Sequence, residues 1–155
     1  MNIKPAVGDP AYRLKIFVPY AGHPVSVNEA IRSHGAMYAK AMDAWRDNAM
    51  YAGRAAIRQL HLAVPLPPSV VRITCPMRTA VRRDLHNYSG TLTKSIIDGL
   101  VKAQIWEDDA TGHLTAVDPR FVHMPDLADP AIRARAVAMV TIVPLDTLRA
   151  ALEAW

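Results

Sequence analysis

The stretch from Arg82 to Asp109 reads RRDLHNYSGTLTKSIIDGLVKAQIWEDD, and it holds the residues best suited to chemistry. Asp84 follows a basic turn containing Arg78, Arg82 and Arg83. Lys94 and Asp98 stand at i, i+4 spacing, so they share one face if the segment between them is helical. Glu107, Asp108 and Asp109 close the stretch. A strand–helix–turn hairpin can bring its two acidic ends to one sheet edge. Carboxylates of this kind hold hard cations such as Mg²⁺, with water and substrate phosphate filling the other positions. The cation polarises a phosphoryl oxygen and activates water. A lysine offsets charge that develops on the phosphoryl group, and neighbouring arginines hold adjacent phosphates. Phosphodiester hydrolysis needs such a set of groups, although their spacing alone does not identify it. Each element has a plainer reading when taken singly: an EDD triplet after a helix is commonly a solvated turn, and Lys94 with Asp98 a helix-surface pair.

The order R-D-L-x-N (Arg83 to Asn87), then a helix with lysine and I-I-D-G-L (Ile96 to Leu100), then W-E-D-D (Trp106 to Asp109), resembles the RusA-like Holliday-junction resolvases. These are small homodimeric endonucleases common in phages and prophages. The likeness is clearest from Arg82 to Asp109. It extends more weakly to P-x-S-x-N at Pro24 to Asn28 and the helix after it, and little beyond Pro119. It implies that Asp84 and Asp109 are metal-binding and catalytic aspartates and that Lys94 is the catalytic lysine. Asn87 matches the asparagine closing the first motif and joins Arg78, Arg82 and Arg83 as expected DNA contacts. The cofactor implied is Mg²⁺, with Mn²⁺ as the alternative. The sequence departs from the family at two points. His86 stands where a carboxylate is usual, and either ligates the metal, favouring Mn²⁺ or softer ions, or points away. Tyr88 to Thr93 lengthens the link to Lys94 and is expected to form its own turn.

Periodicity supplies the elements that must carry these groups. Tyr12 to Val18 alternates between Pro10 and Pro19 and reads as a strand. Asn28 or Ser33 is placed to cap a helix. Ala36 to Leu60 is the longest helical pattern, with Tyr38, Met42, Trp45, Ala49, Ala52 and Ala56 on one apolar stripe and Gly53 as a point of bend or break. Ser69 to Cys75 is a strand, with Cys75 buried in it. Thr91 to Ala103 is a helix capped by Ser89 or Thr91. Leu114 to Val117 and Val137 to Val143 are strands joined by an irregular linker with Pro119, Pro125 and Pro130. Leu145 to Trp155 is a terminal helix. Trp45 and Trp106 are expected in the core, while Tyr88 is left between DNA stacking and a dimer interface. The order β, α, β, α, β, β, α predicts one α/β domain over residues 1–155 with a small mixed sheet, its motif core at 69–118.

Composition bounds the reading from outside. At 155 residues, 51% hydrophobic and 21% charged, the chain has the make-up of a folded domain. Its net charge of +4 is uneven: 14 Lys/Arg against 9 Asp/Glu lie from Met1 to Asp109, and 4 against 5 from Ala110 onward. The basic excess thus accompanies the acidic motif, which suits a polyanionic substrate. The single Cys75 excludes an intrachain disulfide and a cysteine-based zinc site. No secretory h-region and no membrane-spanning run are found, so the expected location is the cytoplasm, of a bacterial host if the resemblance holds. The remaining histidines lack zinc spacing, and no G-x-S-x-G, Walker A or Rossmann glycine pattern occurs. The expectation is a homodimeric, metal-dependent endonuclease that resolves four-way DNA junctions by paired nicks. Its alternatives are a branched-DNA-binding protein that has lost catalysis, a flap or general branched-DNA nuclease, and an interaction protein whose acidic turn is merely solvated.

Overall fold

The β1 segment, Leu14–Pro19, alternates buried and exposed residues, whereas the strand Ser69–Met77 is buried on both faces over its second half. In the computed structural model, residues 13–22, 24–32, 35–77, 86–126 and 137–153 are described. Four strands, β1 (Leu14–Pro19), β2 (Ser69–Met77), β3 (Leu114–His123) and β4 (Val137–Pro144), form one sheet in the order β1-β4-β2-β3. β4 runs antiparallel to both β1 and β2, whereas β2 and β3 are parallel. A parallel pair needs a crossover, and helices supply it. The helices are α1 (Val27–Arg32), α2 (Ala36–Leu60), a short α3 (His86–Tyr88), α4 (Lys94–Lys102) and α5 (Leu145–Glu153). A π-helical turn, Ser89–Thr93, joins α3 to α4. The domain is therefore mixed α/β, as the element order predicted. Among the described residues no helix is long and apolar enough to cross a membrane.

The core lies between the sheet and the α2–α4 pair. Leu14, Ile16 and Val18 of β1, Val71, Ile73 and Cys75 of β2, and Val140 and Ile142 of β4 are all buried. Trp45 and Trp106 are wholly buried with them, and removing side chains of this size from water stabilises the fold by about 1.5–3 kcal/mol or more each. Tyr20 meets Trp45 edge-on at 5.3 Å. The two long helices run in the same direction, with Ser95 Oγ 3.2 Å from Met42 Sδ near their starts and Gly53 beside Leu100 and Ala103 near their ends. Their approach is close enough that a Cβ on Gly99 would stand 2.7 Å from the Ala49 Cβ and collide with the Arg46 carbonyl oxygen. Gly53 neither bends nor breaks α2, which continues to Leu60; a Cβ there would lie 2.7 Å from that of Ala103, so the residue serves close packing.

Several local expectations need correction. Asn28 lies inside α1 and does not cap it. Ser26 does: its Oγ accepts from the Glu29 N–H at 3.2 Å, and Glu29 reaches back to the Ser26 N–H at 2.8 Å, a capping box. Ser33 lies outside the described residues. Neither Ser89 nor Thr91 caps the second long helix, because helical structure already begins at His86. The Thr91 hydroxyl instead donates to the Tyr88 carbonyl at 3.1 Å. Tyr88 is buried against Phe121, with ring centroids 5.0 Å apart. β3 runs well past Val117, through Pro119 to His123. As an edge strand, β3 accommodates a proline that donates no ladder hydrogen bond.

The face of the sheet away from α2 carries an ion-pair row. Arg72 Nε and Arg120 Nε both donate to Asp118, each at 2.8 Å. Burial alone would raise the Asp118 pKa, but these hydrogen bonds outweigh it and hold the carboxyl below its ordinary value.

Candidate active site

The expected lysine sits at the first position of α4, and the acidic turn follows that helix. α4 presents Ser95, Ile96, Ile97, Gly99 and Leu100 to the core and leaves Lys94 and Lys102 exposed, with Asp98 half-buried between them. The helix stops at Gln104, whose φ of 69° places it in the left-handed region. The Gln104 N–H donates to Val101 O at 2.8 Å and the Ile105 N–H to Leu100 O at 3.0 Å, the paired bonds of a Schellman ending. Ile105 and Trp106 then plunge into the core. The Ile105 carbonyl also accepts from the Leu66 N–H at 2.7 Å, fixing the exit path.

With Trp106 anchored, Glu107 to Ala110 return to the surface. Asp108 Oδ1 accepts from the Ala110 N–H at 2.7 Å, and Leu114 N–H closes onto Ala110 O at 2.9 Å as β3 begins. Asp108 is thereby a turn residue, and His113 Nε2 lies 3.7 Å from its Oδ1. Asp109 points instead toward α4. Lys94 Nζ donates to Asp98 Oδ1 at 3.0 Å and to Asp109 Oδ2 at 3.2 Å. Hydrogen bonds to Asp98 first and Asp109 second raise the Lys94 pKa above its ordinary value, against the opposing effect of partial burial. Lys94 is thus an ammonium through the neutral range, suited to stabilising anionic charge and unsuited to removing protons.

These groups border a cleft of about 340 Å³ lined by Ser89, Thr93, Lys94, Ile97, Asp109 and the first residues of β3. The π-helical turn forms one wall, so the segment between Tyr88 and Thr93 does make its own turn. Such turns recur at functional positions. Thr93 Oγ1 is buried there with no hydrogen-bond partner among the described residues.

Of the residues expected to act, the structure brings Lys94 and Asp109 together and adds Asp98, a contact readable from i, i+4 spacing. Asn87 is half-buried in α3. Asp84, Arg78, Arg82 and Arg83 lie outside the described residues, as does the side chain of His86. Asp109 is about half exposed, with a side-chain accessibility of 52%. Its hard oxygen atoms, with those of Asp98 across the ammonium, are the donor type that suits Mg²⁺ or Mn²⁺. Such ions need only one or two carboxylates when water and phosphate complete the shell. Among the described residues no group of three or more His, Cys, Asp or Glu side chains is placed to hold a metal. No protein-family model matches the chain, and no curated protein matches it in sequence.

Proposed function

We propose that this protein is a metal-dependent endodeoxyribonuclease of the RusA-like kind, acting on branched DNA and on four-way junctions above all. The observation that carries the proposal is the meeting of Lys94 with Asp109. The resemblance assigns these residues to one catalytic centre, and they stand 3.2 Å apart although 15 positions separate them. In this reading Asp84 and Asp109 would hold Mg²⁺ or Mn²⁺, which would supply Lewis-acid polarisation of the phosphodiester and a more acidic water. Asp109 would contribute its carboxylate from the turn after α4. The Lys94 ammonium neutralises charge gathering on the phosphoryl oxygens, and Asp98 holds the ammonium in place. Arg78, Arg82, Arg83 and Asn87 contact neighbouring phosphates. A homodimer would present two such centres related by symmetry, and so nick opposing strands of one junction.

The test is cleavage of a synthetic four-way junction, a flap and a linear duplex, each with Mg²⁺, Mn²⁺ or EDTA. Metal-dependent paired nicking of the junction, abolished by Asp109→Asn and by Asp84→Asn, is the expected result. Cleavage that survives both substitutions would sink the site assignment. Junction binding without cleavage in any metal would make the protein a binding module.

A further inference from the structure

Arg54, Arg58 and Lys102 converge on a second cleft of about 340 Å³, completed by Ile57, Ala103 and Gln104. All three cations are exposed. Among the described residues none of them has a carboxylate within ion-pairing distance, unlike Arg46, Arg72, Lys94 and Arg120. Arg54 and Arg58 stand at i, i+4 on α2, where like charges destabilise a helix. Lys102 then adds a third positive charge from α4. Part of this is explained by the two helices ending side by side, since cations favour helix C-termini. That effect decays within the last turn, and Arg54 lies in the turn before it. Glu107 lines the adjoining hollow with Lys102 and Gln104, but its carboxylate leans toward His113, at 4.0 Å.

Lys94, Asp98 and Lys102 form one stripe along α4, two i, i+4 steps from end to end. The candidate active site therefore lies about 12 Å along the helix axis from the cationic cleft, the axial rise of about three to four nucleotides on one DNA strand. We propose that the Arg54–Arg58–Lys102 cleft binds backbone phosphates of a DNA arm a few nucleotides from the phosphate at Lys94. The two guanidinium groups offer bidentate contacts to phosphate oxygens and the ammonium a point charge. This inference rests on the nucleic-acid reading of the Lys94–Asp109 site, but concerns binding and not cleavage.

The test is binding of a fluorescent four-way junction to the full chain in EDTA, by anisotropy, over ~50–200 mM salt, the range in which phosphate contacts are strongly screened. The combined variant Arg54→Gln, Arg58→Gln, Lys102→Gln is expected to bind at least about tenfold more weakly at the low-salt end. The slope of log affinity against log salt should be shallower by about two to three, near 0.9 for each phosphate that is no longer neutralised. If circular dichroism shows that this variant does not fold, Arg54→Gln and Arg58→Gln are measured singly, each with an expected reduction of about one in slope. A lower melting temperature with an unchanged slope would overturn the inference and leave the cations as helix-end partners. A wild-type chain that binds no junction overturns both this inference and the nuclease reading. Binding with the altered slope but without cleavage in Mg²⁺ or Mn²⁺ supports the cleft and removes only the nuclease.

Discussion

Lys94 Nζ lies 3.0 Å from Asp98 Oδ1 and 3.2 Å from Asp109 Oδ2, so one ammonium joins the middle of α4 to the turn beyond its end. The lysine side chain is 57% exposed. Exposed ion pairs contribute only about 0.2–1 kcal/mol, because water and salt screen them and side-chain entropy opposes them. The arrangement is therefore weak as a stability device. It is effective as a positioning device, since it fixes a cation against a carboxylate in an open cleft.

Replacing Lys94 should accordingly separate catalysis from folding. Lys94→Gln is expected to slow junction cleavage by on the order of 10²-fold or more, as for loss of one transition-state donor. Its melting temperature should stay within a few degrees of wild type, about what ~1 kcal/mol moves a domain of this size. Single-turnover cleavage and thermal unfolding of the same preparation give both values. An unchanged cleavage rate would remove Lys94 from the mechanism.

Gly99 tests the packing that holds α4 in place. On an isolated helix, Gly99→Ala would gain about 1 kcal/mol of helix propensity. Here the added Cβ meets the Arg46 carbonyl oxygen and the Ala49 Cβ. Backbone cannot step aside as a flexible side chain can, and overpacking typically costs about 1–3 kcal/mol or more. Packing is expected to win, with a net loss of up to about 2 kcal/mol in urea unfolding. A stabilised Gly99→Ala protein would mean that α2 and α4 stand farther apart.

Thr93 carries a buried hydroxyl with no partner among the described residues. An unmet buried polar group costs about 1–3 kcal/mol, and valine has nearly the same shape without it. Thr93→Val should therefore raise the unfolding midpoint in urea with its slope unchanged. A destabilised variant would show that the hydroxyl is hydrogen-bonded in solution.

The Lys94 pKa predicts a pH dependence with a definite sign. It is raised above 10.5 in the fold, chiefly by hydrogen bonding to Asp98 and then to Asp109. A raised folded-state pKa stabilises the fold fully below the unfolded value, and this contribution is lost as pH rises through the folded one. As pH rises past the ordinary lysine value, the wild-type protein should therefore lose slightly more stability than Lys94→Gln, by no more than the ~1 kcal/mol of an exposed pair. Parallel alkaline limbs in chemical denaturation would contradict this.

Sequence periodicity exposed the layers well, because strands that bury one face and helices with one apolar stripe carry those patterns openly. Ile16 and Val18, Val71 and Ile73, and Trp45 with Ala49 all lie where alternation or helical spacing puts them. The far half of β3 is hidden in the sequence, because Asp118, Pro119 and Arg120 interrupt the pattern. That interruption belongs to an edge strand with one face open to solvent. Ser26 competes with Asn28 for the cap, since both residue types cap well, and only the structure shows that the S-x-x-E box closes at Ser26. Gly53 resembled a helix breaker because only a neighbouring helix reveals the need for a missing Cβ. At the site, Lys94 and Asp98 were legible as a local pair. The approach of Asp109 was implied only by the family resemblance, because it depends on the left-handed turn at Gln104 and on burial of Trp106, neither of which leaves a periodic signal.

Tyr88 packs on Phe121, and Phe121 lies opposite Cys75 in the parallel β2–β3 pair. The turn leading into Lys94 is thereby keyed to the sheet through one aromatic contact. A slip of β3 by a single residue would swing Phe121 to the opposite face. Tyr88 would lose its seat, and the start of α4 would no longer be held against the edge strand. Because Asp109 lies just before β3, the same slip would also move the carboxylate. The distance between Lys94 and Asp109 is thus a readout of strand register, and substitutions at Cys75 or Phe121 should be felt at the cleft.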